Sequence, residues 1–431
     1  MSIGNTFKEF CQSIKLVDSD VWNDRFKKIT KKINEKYYNS DDDSRHRLRV
    51  GSTGRYTATS DASDYDVLYY LPWDTYDRFD SHEHGQSDLL QEVKQCIKET
   101  YNRTDVRADG QVVDVKFNDG LIEIVPGFEN DDKSFQYPDT HGGGSWKRTN
   151  PRPEKEQCKI DNINSNGTFR DLTRMIRVWK NHKGFVFQGI LIDTLVHNFF
   201  EENKDIVNNT SYSDYPQLMY DLFKYLGKQD PKQIFWHALG SNQNIEAKDK
   251  QFIKKAKAAC DDLAEVDLDD EDEVLDTFKD LFGYSFSKVT NNSNISSEEE
   301  FASSLFRSIN IQGTFDIECT VKKSGFLDHG IAYFKHNYKA LLKFSNLVFS
   351  VKNESFPEKY RKRKINYYWK VKNYGVEAKA ARCLRGTIVK GERTHTETTR
   401  YTNMHHYVEC YAVVDNIVIA RSKVIVPIGD R

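Results

Sequence analysis

Two aspartates separated by one residue, Asp64 and Asp66, stand at the head of the run Val67-Leu68-Tyr69-Tyr70. That run is rich in β-branched and aromatic residues and reads as a strand. Side chains two apart on a strand share a face, so both carboxylates project together while Tyr65 and Val67 point away. Ionised carboxylates that close repel each other unless a cation sits between them. Their hard oxygen atoms favour magnesium, with manganese as the alternative. Just upstream, Gly51 and Ser52 open a small polar turn whose backbone N–H groups suit a phosphate beside such ions. Together these parts suit nucleotidyl transfer.

A third carboxylate on a neighbouring strand would complete such a site. Glu123 supplies one, as the acid inside Gly120-Leu121-Ile122-Glu123-Ile124-Val125-Pro126. An ionised glutamate in a buried strand is costly unless it is paired or bound to metal. Asp114, within Val112-Val113-Asp114-Val115, is the competing candidate. Glu123 is preferred because its neighbours are more uniformly apolar.

The order Gly-Ser, Asp-Tyr-Asp and Ile-Glu-Ile-Val-Pro resembles the polymerase-β-like nucleotidyltransferases. More narrowly, it resembles the CD-NTase or SMODS family, the bacterial relatives of cyclic GMP-AMP synthase and oligoadenylate synthetase. The resemblance implies Asp64, Asp66 and Glu123 as catalytic ligands of two magnesium ions, with Gly51 and Ser52 at the triphosphate. It also implies that Lys180, in Arg174-Met175-Ile176-Arg177-Val178-Trp179-Lys180, reaches the triphosphate from a basic helix. Ser145 and Trp146 follow three glycines and precede Asn150-Pro151, a pattern the family shares, and are candidates for base or phosphate contact. The implied activity makes a cyclic or linear oligonucleotide messenger from NTPs or dNTPs, in bacterial antiphage defence, for a downstream effector protein.

The elements that must hold these residues can be read in outline. Phe7, Phe10 and Ile14, then Trp22, Phe26, Ile29 and Ile33, recur at helical spacing between about residues 5 and 40. Leu89, Leu90, Val93 and Ile97 form a second helical stripe, and 112–117 and 121–125 read as strands. Residues 72–86 and 128–150 read as loops, and 169–200 as strongly helical, with Gly189 to Leu195 serving core packing. The pattern changes to strands beyond about residue 310, at 347–352, 366–373, 408–415 and 417–420. Here Tyr368 to Gly375, Cys383-Leu384-Arg385-Gly386, His406 to Cys410 and Ala420-Arg421-Ser422 resemble the AGS-C domain. That resemblance implies a nucleotide-sensing module, with Arg385, Arg393, His406 and Arg421 as candidate phosphate contacts.

The expected fold is α+β: a polymerase-β-like nucleotidyltransferase core over 1–165, a helical lobe over 166–286, a linker over 287–312 and a small all-β sandwich over 313–431. Length permits two or three domains. The seven cysteines are scattered without a paired spacing, which argues for a reducing, cytoplasmic setting and against zinc or a disulfide framework. The N-terminus lacks a signal-peptide pattern and no apolar run is long enough to span a membrane. A net charge of −2 hides an asymmetry, because Phe315 to Arg431 holds 22 Lys and Arg against 11 Asp and Glu. Such a basic segment suits an anionic nucleotide or oligonucleotide ligand. Two other readings stay open: transfer onto an RNA end, a DNA end or a protein acceptor, and a catalytically silent nucleotide-sensing regulator.

Overall fold

A computed structural model describes residues 2–17, 19–204, 210–247, 249–267, 270–290, 299–325, 327–361 and 363–429. Positions 291–298 of the expected linker lie outside the described residues. The chain divides into two compact units, one of residues 1–178 and 188–274, the other of residues 179–187 and 275–431.

The first unit opens with two helices, α1 (Ile3–Ser13) and α2 (Asp20–Tyr38), the second closed by Asn39 in the left-handed conformation. Asparagine tolerates that conformation at a helix end better than most side chains do. A mixed sheet follows. Its central path is β1 (Arg47–Arg49), β2 (Asp64–Tyr70), β5 (Gly120–Glu129), β4 (Val112–Phe117) and β3 (Asp105–Asp109), in that spatial order. Tyr65, Val67 and Tyr69 of β2, Val113 and Val115 of β4, and Ile122 and Ile124 of β5 form one buried face. Strand alternation places them together, and two helices cover them. Trp22, Phe26, Ile29 and Ile33 come from α2, and Leu89, Leu90, Val93 and Ile97 from α5 (Gly85–Thr100). The opposite face of the same strands carries the acids.

Two stretches read as loops are ordered elements. Residues 73–80 form a helix, α4 (Trp73–Asp80), which follows Pro72 and buries only Thr75 and Phe79. With so narrow an apolar stripe, its sequence carries almost no periodic signal. Between 128 and 150, β6 (Phe135–Asp139) and β7 (Ser145–Thr149) form a hairpin joined to β5 through Phe128 opposite Gln136. The glycine run 142–144 is its turn, with all three residues at positive φ.

After the hairpin come α6 (Pro151–Asn164), α7 (Thr168–Lys183) and α8 (Gly189–Glu202), and the unit boundary falls within α7 after Val178. The apolar stretch of α8 is buried, and Asp193 in its midst is buried with it.

The second unit is a sandwich of two sheets, as its sequence pattern implied. One is five-stranded in the order β10 (Ser308–Ile309), β18 (Ile417–Ile425), β17 (Tyr407–Val414), β14 (Asn366–Lys372), β15 (Arg385–Gly391). The other is four-stranded in the order β12 (His329–Gly330), β11 (Thr314–Lys322), β13 (Asn346–Ser355), β16 (Thr394–Thr398). Cys319, Phe349 and Val351 from one sheet pack with Trp369, Cys410 and Ile419 from the other in one core. Strands β15 and β16 are not expected from the sequence because they carry few apolar residues on either face, and β11 is missed although its Phe315, Ile317, Cys319 and Val321 alternate with polar residues.

Candidate active site

β2 and β5 run parallel with Asp66 opposite Glu123 and Asp64 opposite Leu121. β4 lies antiparallel on the far side of β5 and sets Asp114 opposite Glu123. Asp66, Glu123 and Asp114 therefore stand abreast across three strands on the face away from the helices, with Asp64 two residues along from Asp66. All four are half-buried. The two acids weighed for the third position thus share one face. Ser63 Oγ donates to Asp64 Oδ1 at 3.1 Å.

The Gly-Ser segment is built against this face. Residues 51–55 form a single short helical turn, α3 (Gly51–Arg55), and the N–H of Val50 bonds the Asp66 carbonyl at 3.0 Å. Gly51 has φ +62°, and a Cβ there would fall inside the contact radius of Asp66 Oδ2. Both facts require glycine: an L side chain disfavours that backbone, and the carboxylate already fills the space. The Ser52 carbonyl accepts the N–H groups of Thr57 (2.9 Å) and Ala58 (3.2 Å), folding the following residues back onto the turn. Tyr56 between them is left-handed at φ +63° and exposed.

Cations surround this turn. Arg170 of α7 lies 5.0 Å and Lys155 of α6 lies 5.6 Å from the Tyr56 ring centre. Arg174 is buried and donates to the carbonyls of Tyr56 (2.7 Å) and Ala58 (3.2 Å). Burial lowers the Lys155 pKa, and the charges of Arg49 and Arg152 lower it further. Burial likewise lowers that of Arg170. An anion beside Lys155 would offset the repulsion from Arg49 and Arg152. Of the cations around the turn, only Arg174 falls in the basic helix that the sequence singles out; the signal for Lys155 and Arg170 is the density of Arg and Lys between 148 and 177.

The donors on the acidic face are hard carboxylate oxygens, the type magnesium and manganese take. Among the described residues, no group of three or more His, Cys, Asp or Glu side chains is gathered closely enough to hold a metal ion. The fit is one of donor chemistry, shared face and strand register.

The remaining candidates have these positions. Lys180 is buried in the second unit, where its ammonium donates to the Ile311 carbonyl at 2.8 Å. Ser145 begins β7 opposite Asp139. Trp146 donates its Nε1–H to Asp80 at 2.8 Å and packs on Tyr76 and Phe128, at 4.7 and 5.6 Å between ring centres.

In the second unit, a cavity of about 610 Å³ is lined by Arg385, Arg400, Asn346, Thr398, Tyr401 and His406, among others. Arg385 holds Glu397 through two nitrogens, at 2.7 and 3.0 Å. Burial opposes ionisation of Glu397, but His395 and Arg385 outweigh it and hold its pKa at about 2. His406 accepts the Tyr374 N–H at Nδ1 (2.9 Å) and faces the Tyr401 carbonyl at Nε2 (2.8 Å), while burial lowers its pKa. It therefore lines the cavity as a neutral ring. Arg393 pairs with Glu354, and Arg421 with Glu409 and the His182 carbonyl, both outside that lining.

Residues 1–162 match the model of the Second Messenger Oligonucleotide or Dinucleotide Synthetase domain, SMODS. Residues 296–429 match the Adenylyl/Guanylyl and SMODS C-terminal sensor domain, AGS-C. A probable cyclic nucleotide synthase of Bacillus cereus (strain VD146) is 22% identical over 216 residues, 46% of this chain and 62% of that protein. The chain thus spans about six-tenths of the curated relative it matches. Among solved structures, CdnC of E. coli MS115-1 with ATP is 17% identical, covering 66% of this chain and 98% of its own, at a TM-score of 0.48. The CdnE cyclic dinucleotide synthase of Elizabethkingia meningoseptica, with GTP and Apcpp, is 10% identical, covering 61% of this chain and 99% of its own, at 0.46. No helix among the described residues is long and apolar enough to cross a membrane. The acids and the Gly-Ser turn thus lie in a part of the chain that matches the SMODS domain, and the two-sheet unit lies in a part that matches the AGS-C sensor domain.

Proposed function

We propose that this chain is a magnesium-dependent nucleotidyltransferase that joins nucleotides from NTPs or dNTPs into a cyclic or linear oligonucleotide messenger. The observation that carries the reading is the alignment of Asp66 with Glu123 on one sheet face, with Gly51 seated against the Asp66 carboxylate. A ribose hydroxyl attacks the α-phosphorus, the new P–O bond forms, and the bond to pyrophosphate breaks. Asp64, Asp66 and Glu123 would hold the magnesium ions, with manganese meeting the same donors. The bound metal supplies a lowered pKa at the attacking hydroxyl and neutralisation of the leaving pyrophosphate. Gly51 and Ser52 orient the triphosphate, and Lys155 and Arg170 supply positive charge beside that turn. Such alignment and charge stabilisation carry most of phosphoryl transfer, so a histidine base is not required. Roles in antiphage defence, in the cytoplasm and upstream of an effector protein draw their support from the family resemblance.

The experiment is pyrophosphate release from NTPs by the full chain, with magnesium and with excess chelator. Release that chelator stops and added magnesium or manganese restores supports the reading. Equal release in chelator contradicts it.

The cavity of the second unit favours an accompanying reading, that it receives an anionic nucleotide or oligonucleotide. Its volume suits one nucleotide, and Arg400 lines it beside Arg385, whose guanidinium is held by Glu397. Arginine forks bind phosphate through paired, charge-assisted hydrogen bonds. Calorimetric titration with mono- and oligonucleotides should give binding that weakens about tenfold or more in Arg400→Ala. Equal affinity in that variant would remove the site from consideration.

A further inference from the structure

A buried carboxylate behind the Gly-Ser turn has no role in the account so far. Asp193 sits in α8 with its side chain wholly inside the protein. Its Oδ2 accepts from Arg55 Nε at 2.8 Å and from Thr57 Oγ1 at 3.0 Å. Its Oδ1 lies 2.7 Å from a terminal nitrogen of Arg177, which also donates to the Gly189 carbonyl at 2.9 Å. Arg55 approaches a second buried acid, Glu154, at 3.7 Å, and Ser241 donates to Glu154 at 3.0 Å. Two guanidinium groups and two carboxylates therefore balance one another out of water. Burial of such a set is tolerated because each charge faces an opposite one.

The place where this set grips the backbone gives it meaning. Arg55 ends α3 and Thr57 lies two residues on, so Asp193 holds both sides of the left-handed Tyr56. The Thr57 N–H in turn bonds the Ser52 carbonyl. A continuous chain of contacts runs from Asp193 through Thr57 to Ser52, and from Ser52 to Gly51 beside Asp66.

We propose that Asp193 is a positioning residue for the nucleotide triphosphate, fixing the Gly51–Thr57 segment through Arg55 and Thr57. This rests on the reading that Gly51 and Ser52 bind the triphosphate. Asp193 touches no substrate and acts only through the loop. A loop held less firmly binds the triphosphate less well, so the effect falls on KM. A general loss of folded protein would instead lower the maximal rate at unchanged KM.

The test compares Asp193→Asn, Thr57→Val and Asp64→Ala/Asp66→Ala with the parent chain, with steady-state kinetics over an NTP series and a thermal melt of each. Thr57→Val keeps the side-chain shape and removes one hydrogen bond, so it decides the matter even if Asp193→Asn does not fold. The expected result is a KM raised about tenfold in Thr57→Val, and more in Asp193→Asn, with kcat within about threefold. An unchanged KM in Thr57→Val, or a fall in kcat alone with an earlier melt, overturns the positioning role. If the parent is active and the double alanine variant is dead, that failure belongs to Asp193 alone. If the double variant retains full activity, the reading of the active site fails and the inference falls with it.

Discussion

Replacing Asp64 and Asp66 together with alanine is expected to abolish pyrophosphate release while leaving the protein folded. The two acids share the solvent-facing side of β2, and the core side of that strand (Tyr65, Val67, Tyr69) is untouched by the change. Removing two half-buried carboxylates from one face relieves their mutual repulsion. The hydrogen bond from Ser63 to Asp64 is lost, at about 1 kcal/mol. The catalytic term is far larger. Metal at the reacting oxygens is worth several kcal/mol, and about 4 kcal/mol corresponds to roughly a thousandfold in rate. Activity should therefore fall about a thousandfold or more with a melting temperature within a few degrees of the parent. A variant that melts with the parent and still turns over at full rate would remove both residues from the chemistry.

Gly51→Ala is expected to have the second-largest effect, by a different route. The backbone at φ +62° costs an L residue about 1 kcal/mol, and the new methyl group would press on Asp66 Oδ2. Either the turn or the carboxylate must move, by about 1 Å. A displacement of that size at reacting groups costs about a hundredfold in rate. Gly142→Ala separates the two causes, because Gly142 has the same φ of +62° but its added Cβ meets nothing within 4 Å. The two variants should lose similar stability, measured by thermal melts, and only Gly51→Ala should lose activity about a hundredfold. Equal activity in both would mean that the Gly51–Asp66 contact is not needed.

Much of this was legible where local pattern and tertiary role coincide. Asp64, Asp66 and Glu123 stand out because each interrupts an apolar strand run, and period-two alternation then fixes their face. Strands β13, β14, β17 and β18 of the C-terminal sandwich were legible from their β-branched and aromatic content. The hairpin of β6 and β7 was not, because its sequence is polar and Gly-rich and its order comes from pairing with β5. Lys180 shows another limit. The helix α7 is plain from its periodicity, but which of its cations meets which element is decided by packing. Arg170 and Arg174 meet the Gly-Ser segment, whereas Lys180 meets the Ile311 carbonyl. Asp193 carried the same signal as Glu123, an acid inside an apolar run, yet on a helix that signal reads as core packing. Only the fold brings Arg55 and Thr57 from one segment and Arg177 from another to meet it.

The central claim is that this chain joins nucleotides with loss of pyrophosphate, and the product itself is its most direct test. The full chain would be incubated with magnesium and each NTP and dNTP, singly and mixed, and the products resolved by mass spectrometry before and after phosphatase. The account predicts a phosphodiester-linked product, either phosphatase-resistant and cyclic or a linear oligomer with removable end phosphates, accompanied by pyrophosphate and absent from the Asp64→Ala/Asp66→Ala protein. Label carried instead onto added RNA, DNA or protein, or the same product from the double variant, would contradict it.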